Sequence, residues 1–210
     1  SGYEVLSNAE EEIGSRGSSA LMREAGARAR CACVYEPAME DGALAGARKG
    51  SGNFSAVVRG RSAHAGRDHA AGRNAVVAAA ALAARIDALT GARDGLTVNV
   101  AKIEGGAPNN VVPDVAVVRF NVRARTGEDA AHAEAQIRAR VAEIDASDGY
   151  AAHLHGGFGR PPKPMTPELE AFFRAVKALG RELGLDIGWR DTGGVCGGNK
   201  IAAPRLPGIA

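Results

Sequence analysis

The sequence predicts an α/β protein in which a β-α-β-β-α-β module interrupts a second α/β layer. Three observations carry this. Residues 1–50 alternate short apolar runs with a helical stripe. Residues 51–158 hold four strand-like and two helix-like segments in split-βαβ, ferredoxin-like order. Residues 159–210 return to helix and strand around a Gly-rich turn.

The elements follow in order. Tyr3–Ser7 reads as a short strand, Ser18 to Arg30 as a helix with Ala20, Leu21, Met22 and Ala25 on its apolar stripe, and Cys31–Tyr35 as a buried strand. In such a βαβ pattern, function is expected at the carboxyl ends of the strands, where Glu10–Glu12 and Glu36-Pro37 fall. Asn53–Arg61 alternates with Phe54, Ala56 and Val58 on one side. Asn74 caps an Ala-rich helix that ends near Gly91, and Leu96–Ile103 is a strand. Val115–Ala124 alternates cleanly, with Ala116, Val118, Phe120 and Val122 opposite Val117, Arg119, Asn121 and Arg123. Gly127 to Ala146 is a helix and Tyr150–His155 a strand. Thr166 caps the next helix, with Glu168 and Glu170 in its first turn and Leu169, Phe172, Phe173, Val176 and Leu179 as core stripe. A strand around Ile187–Arg190 leads into Thr192–Asn199, and Leu206–Ala210 leads into another strand.

Bulk properties exclude several classes. Lys and Arg number 26 and Asp and Glu 24, for a net charge of +2, so charge gives no reason to expect nucleic acid or an anionic membrane as partner. No apolar run approaches the ~20 residues that span a bilayer. Three cysteines, an odd number, argue against a disulfide framework and for a reducing, cytoplasmic setting. Aromatics are 4% of the chain, so the core must be built from Ala, Val, Leu and Ile. There is no initiating Met, and both ends read as cut.

Adjacent glutamates at a strand end can divide the work of amide hydrolysis, one holding a metal and the other taking a proton from bound water. Taken alone, the same glutamates are also a favourably charged first helical turn. The run Glu10-Glu11-Glu12-Ile13-Gly14-Ser15 resembles the Asp-Glu-Glu-x-Gly-Ser pattern of the co-catalytic zinc peptidases and deacylases, the family of acetylornithine deacetylase, succinyl-diaminopimelate desuccinylase and glutamate carboxypeptidase. Glu36-Pro37, Arg61-Ser-Ala-His64-Ala-Gly66 and Gly105-Gly-Ala-Pro-Asn-Asn-Val-Val-Pro113 resemble further motifs of that family in the same order. The resemblance implies that Glu11 is the general base and that Glu12 and Glu36 are metal ligands. It implies that His64 polarises the scissile carbonyl, in many relatives from the partner subunit, and that Asn110 binds a substrate oxygen. Arg123 would hold the substrate carboxylate, a task suited to its forked guanidinium. Asn121 stands where the family usually carries Asp. The turn Thr192-Gly-Gly-Val-Cys196 is similar to the family's active-site turn, with Gly194 at substrate and Gly197 in place of an expected Asp. Cys196 as a nucleophile is disfavoured, because the family places Ser or Cys there without covalent chemistry.

The resemblance further implies that residues 1–50 and 159–210 are parts of a catalytic domain and residues 51–158 a ferredoxin-like lid that dimerises. Two zinc ions, or cobalt or another divalent metal, are expected in the complete enzyme, together with a homodimer and a small substrate bearing a free carboxylate. A His-x-Asp motif, a bridging Asp and a late His ligand belong to the pattern and do not occur in these residues. The chain alone is therefore expected to be inactive. Two other readings stand beside this one: a non-catalytic dimerisation module, and an RNA-binding sheet, for which Phe120 is the one aromatic on the central strands. His153 and His155 share a strand face without a third metal ligand near in sequence. His69 and His132 are expected at the surface.

Overall fold

The computed structural model describes residues 2–36 and 39–202, and the backbone of 208–209. In chain order its elements are α1 (Ser19–Arg28), β1 (Ala32–Cys33), β2 (Leu44–Arg48), β3 (Gly50–Arg59), β4 (Ala63–His64), α2 (Ala75–Asp87), β5 (Thr97–Gly105), β6 (Val111–Val112), β7 (Val115–Ala124), α3 (Gly127–Asp145), β8 (Ala151–Arg160), α4 (Pro167–Glu182), β9 (Trp189–Thr192), α5 (Gly198–Ile201) and β10 (Gly208–Ile209). The chain divides into two units. One comprises residues 1–51, 125–127 and 159–210, and the other residues 52–124 and 128–158.

The second unit is the ferredoxin-like module that the sequence predicts. Its sheet has the order β5-β7-β3-β8, with β5 and β7 antiparallel and Val98 opposite Val122. The alternation in β7 assigns its faces. Ala116, Val118, Phe120, Val122 and Ala124 are buried against α2 and α3, together with Phe54, Ala56 and Val58 of β3. The helices contribute Ala79, Leu82, Ala83 and Ile86 from α2 and Ala133, Ile137 and Val141 from α3. The Phe54 and Phe120 rings stack at 5.4 Å, and Phe158 meets Phe54 edge-on at 5.9 Å. Phe120 thus belongs to the helix-covered core rather than to an exposed face of the sheet. The opposite face is polar. There Arg119 donates to Glu104 (2.8 Å) and to Ser55 (3.3 Å). Asn74 caps α2 as expected, its Oδ1 accepting the Val77 N–H at 3.0 Å.

The first unit departs from expectation in several places. No strand forms over Tyr3–Ser7, since this stretch has no ladder partner among the described residues, and Tyr3 and Val5 are exposed. The buried strand expected over Cys31–Tyr35 shrinks to Ala32–Cys33, which pairs in parallel with Gly208–Ile209. Cys31, Cys33 and Tyr35 are exposed, whereas Ala32 and Val34 are half-buried, as residues two apart on one extended segment must share a face. Leu21 and Leu179, assigned to core stripes, are exposed. Residues 189–192 form the strand expected around Ile187–Arg190, and their parallel partner is β2, an Ala- and Gly-rich segment without strand character in the sequence. Pro37 and residues 203–207 lie outside the described residues. Thr166 caps α4 by accepting the Leu169 N–H at 3.2 Å, and Leu169 and Phe173 anchor that helix beside Trp189. His69 is exposed and His132 half-buried. Among the described residues no helix is long and apolar enough to cross a membrane.

Replacing Asn74 by Ala leaves the Val77 N–H without its partner. Urea unfolding of Asn74→Ala is expected to show a loss of about 1 kcal/mol with unchanged slope.

Candidate functional site

The glutamate-rich loop is held by its neighbours. Glu10 turns inward along the chain, and its carboxylate accepts the N–H groups of Gly17 (3.2 Å) and Ser18 (2.5 Å) just ahead of α1. These bonds hold its carboxyl below the usual carboxylate range. Asn8 accepts the Glu10 N–H at 3.0 Å and donates to Ser15 Oγ at 2.7 Å. Gly14 at φ +97° and Ser15 at φ +48° turn the loop into α1. The buried Lys200 ammonium then donates to Gly14 O (2.5 Å), Ser15 O (2.7 Å) and Ser19 Oγ. Burial pulls its pKa down.

Within that loop, Glu11 is half-buried and Glu12 exposed. Arg160 Nη2 donates to both Glu11 Oε1 and Glu11 O at 2.5 Å. Glu36 is half-buried, and its charge reaches Cys196, whose thiol it helps raise. Burial is the main cause of that rise, so Cys196 is kept as a protonated thiol rather than an activated nucleophile. Among the described residues no group of three or more His, Cys, Asp or Glu side chains could hold a metal ion.

Asn199 organises the Gly-rich turn. Fully buried, it accepts the Cys196 N–H (3.1 Å) and donates to Lys49 O (3.0 Å) and Pro161 O (2.8 Å). The amide fixes the turn although Gly197 offers no side chain. Gly194 lies at the exposed end, its N–H on Thr192 Oγ1 at 3.1 Å. Beside it Arg48 pairs through its backbone with Lys163, which is buried and whose pKa is lowered to about 8 by burial first and Arg48 second.

In the other unit a two-stranded ladder that the sequence reading missed joins β4 to β6, with Ala63 opposite Val112 and His64 opposite Val111. Ala65 N–H continues it to Asn110 O at 2.9 Å, so His64 and Asn110 are brought together. Close backbone approach makes this possible. A Cβ on Gly60 would stand 2.0 Å from Arg73 O, and one on Gly72 would stand 2.9 Å from Val112. His64 Nδ1 accepts the N–H groups of Gly66 and Arg67, each at 3.2 Å. In the neutral ring this places the proton on Nε2, a donor left facing outward from an exposed residue.

Arg123 sits elsewhere. It lies on the polar face near the end of β7, opposite Thr97, with Nε donating to Asn121 Oδ1 at 2.8 Å. Asn121 in turn donates to Gly52 O (3.1 Å) and Asn53 Oδ1 (2.7 Å) at the start of β3. The amide therefore orients the arginine where the resembling pattern has a carboxylate. β6 precedes the first residue of β7, whereas Arg123 is eight residues along it, about 26 Å at the rise of an extended strand.

Glu10, Arg160, Asn199 and Lys200 escaped the sequence reading. Glu10 had a signal, an acid ahead of Gly-Ser-Ser at a helix start; the buried lysine had none.

Residues 46–149 match the peptidase dimerisation domain family. Among solved structures, the chain resembles a tripeptidase from Staphylococcus aureus (TM-score 0.70, 22% identity, 86% of this chain and 48% of that one). It also resembles the aminopeptidase PepT from Bacillus cereus (TM-score 0.70, 19% identity, 91% and 53%) and an aminobenzoyl-glutamate utilization protein from Klebsiella pneumoniae (TM-score 0.63, 20% identity, 85% and 47%). These likenesses are of fold, and the chain spans about half the length of these structures. No curated protein sequence matches it.

Lys163 carries fewer protons folded than unfolded between pH about 8 and about 10.5, so raising pH through that window favours the folded chain. Relative to Lys163→Met, the wild type is expected to gain on the order of 3 kcal/mol of unfolding free energy across it. Parallel denaturation curves at pH 7, 9 and 10.5 read the difference.

Proposed function

Because the chain belongs to the M20 peptidase family, whose dimerisation domain it carries at residues 46–149, we propose that it is part of a hydrolase that cleaves an amide bond in small N-acyl amino acids or at C-terminal amino acids. The observation that carries this reading is the His64–Asn110 ladder, which holds an imidazole with its Nε2–H outward beside an exposed amide.

Each residue has a physical task in this reading. Glu11, held by Arg160, takes a proton from the attacking water. His64 Nε2–H donates to the carbonyl oxygen, and the Asn110 side chain supplies a second donor to the oxyanion as it forms. Arg123, its fork set by Asn121, binds the free carboxylate of the substrate, and Gly194 leaves room for the backbone to approach it. Zinc in the parent enzyme would polarise the carbonyl and activate the water. Glu12 and Glu36 are two ligands where a stable zinc site uses at least three from protein, and among the described residues no third His, Cys, Asp or Glu joins them.

The separation along β7 supports a homodimer with shared sites. His64 and Asn110 stand about 26 Å of strand from Arg123, too far to grip one small substrate from a single chain. In a two-fold dimer the partner subunit's His64 and Asn110 would complete the site that Arg123 belongs to.

Two tests follow. In the longer enzyme that contains this chain, His64→Ala and Arg123→Ala homodimers are each expected to lose at least 100-fold in kcat/KM for an N-acyl amino acid. Mixed subunits should regain about a quarter of wild-type activity, because half the dimers carry one intact site. No recovery on mixing would place both residues in one chain's site. The 210-residue chain itself should emerge from gel filtration with far less than one zinc per chain and without turnover. Tight stoichiometric zinc with hydrolysis would overturn the ligand count.

A further inference from the structure

Two histidines on β8 have no task in hydrolysis. β8 is an edge strand, since the sheet order is β5-β7-β3-β8. Ala152 is buried and Leu154 packs against the same core, which turns His153 and His155 onto the opposite face, where both are exposed. The next residue braces the strand. Gly156 has φ +97°, and a Cβ there would stand 2.1 Å from Asn53 O, so β8 is pressed onto β3 where no side chain fits. At Gly157 a Cβ would meet open space. The pair thus sits on a held strand, with no side chain on the two residues that follow it.

The surroundings suit a cation. Arg138, Asp145, His153 and His155 line one groove between α3 and β8. Arg138 pairs with Glu134, four residues before it on α3, at 2.6 Å, so its charge is matched within the helix. Asp145 uses Oδ1 to accept the Ala152 N–H at 2.9 Å and brings a negative charge to the groove. His64 offers the contrast. Its Nδ1 accepts two backbone N–H groups, whereas no hydrogen bond or ion pair engages the rings of His153 and His155 among the described residues. Each neutral ring therefore has a lone pair to give.

Residues two apart on a strand have Cα atoms about 6.6 Å apart. A metal about 2.0–2.1 Å from each of two imidazole nitrogens holds those nitrogens within about 4 Å of one another. Two rings leaning together from one strand face span that difference. We propose that His153 and His155 chelate a divalent transition-metal ion of the nitrogen-preferring class, copper(II) foremost, with water in the remaining positions. Imidazole suits copper, nickel and zinc, whereas magnesium and calcium take oxygen. Copper(II) heads the order of affinity and accepts a square-planar arrangement that two imidazoles and water can fill. A structural zinc site closes with four ligands, and among the described residues no third His, Cys, Asp or Glu joins the pair. The ion is therefore exchangeable and does not hold the fold together. The site uses none of the residues assigned to hydrolysis, so either reading can fail alone.

The 210-residue chain, with the exposed thiols of Cys31 and Cys33 alkylated, is to be titrated with copper(II) chloride. Equilibrium dialysis reads the affinity and electron paramagnetic resonance the ligands. One copper per chain is expected, with nitrogen hyperfine structure in the spectrum. His153→Gln and His155→Gln should each bind at least tenfold more weakly, because a chelate that loses one arm loses its advantage. Both positions are exposed, so both variants should keep the wild-type circular dichroism and Tm, and either carries the test if the other fails to fold. His69→Gln is the control and should bind as the wild type does. Half the copper at unchanged affinity in each single variant means two separate imidazoles and overturns the chelate. Wild-type binding by the double variant His153→Gln/His155→Gln overturns the site. Displacement of copper by an equal concentration of magnesium chloride overturns the assignment to nitrogen-preferring ions.

Discussion

The buried ammonium of Lys200 gives the glutamate-rich loop its shape. Gly14 O, Ser15 O and Ser19 Oγ converge on it between the loop and the first turn of α1, and Ser15 O also accepts the Ser19 hydroxyl. Lysine meets all three with its three protons. An unpaired ammonium at this depth would be very costly, so the bonds make the charge tolerable and the charge makes the loop rigid. Glu10 works from the opposite direction, its carboxylate on the N–H groups that open α1. Glu11 and Glu12 project from the stretch between these two anchors. Arg160 then fixes one oxygen of Glu11 and its carbonyl together, which restricts both the rotamer and the backbone of the proposed base.

In the other unit the governing constraint is strand length. β7 runs for ten residues and carries the Ala116–Ala124 core face as an unbroken alternation, with the register shift of its ladder to β5 falling between Val100 and Lys102. Its two ends are therefore far apart and cannot be folded together without losing that core. The His64–Asn110 ladder hangs from one end because Gly60 follows β3 and Pro113 precedes β7, with Gly60 N–H bonded to Asp114 O and Ala75 N–H to Pro113 O. Arg123 and Asn121 occupy the other end, where β3 begins. A substrate-sized ligand spans a small fraction of that distance, so in the proposed hydrolase a two-fold dimer is the means of joining the β4–β6 ladder to the Arg123 end of β7.

How much of this was legible in the sequence follows from where period and propensity decide. The second unit could be read element by element, although β3 starts earlier and β8 runs on to Arg160. β7 begins and ends where the alternation does, and α2 begins at the residue after its Asn74 cap. There the hydrophobic pattern and the core are the same information. The first unit was less legible because long-range pairing, not local preference, makes its strands. Leu44–Arg48 has no β-branched residue and becomes a strand by pairing with residues more than 140 positions away. The β4–β6 ladder is two residues long, too short for any period, yet it joins His64 to Asn110. Buried lysines leave no trace at all, since Lys163 and Lys200 look like any surface cation until the carbonyls and rings around them are seen.

The two departures from the resembling zinc-peptidase pattern, Asn121 and Gly197, each remove a carboxylate, and their consequences differ. At Asn121 the amide keeps an acceptor for Arg123 Nε and gains a donor for Gly52 O and Asn53 Oδ1, so the arginine stays oriented. At Gly197 nothing replaces the carboxyl, and Asn199 takes over the Cys196 N–H. The turn keeps its shape beside the antiparallel backbone bridge of Arg48 and Lys163. In both places a neighbouring amide makes the local hydrogen bonds without a carboxylate at the departing position.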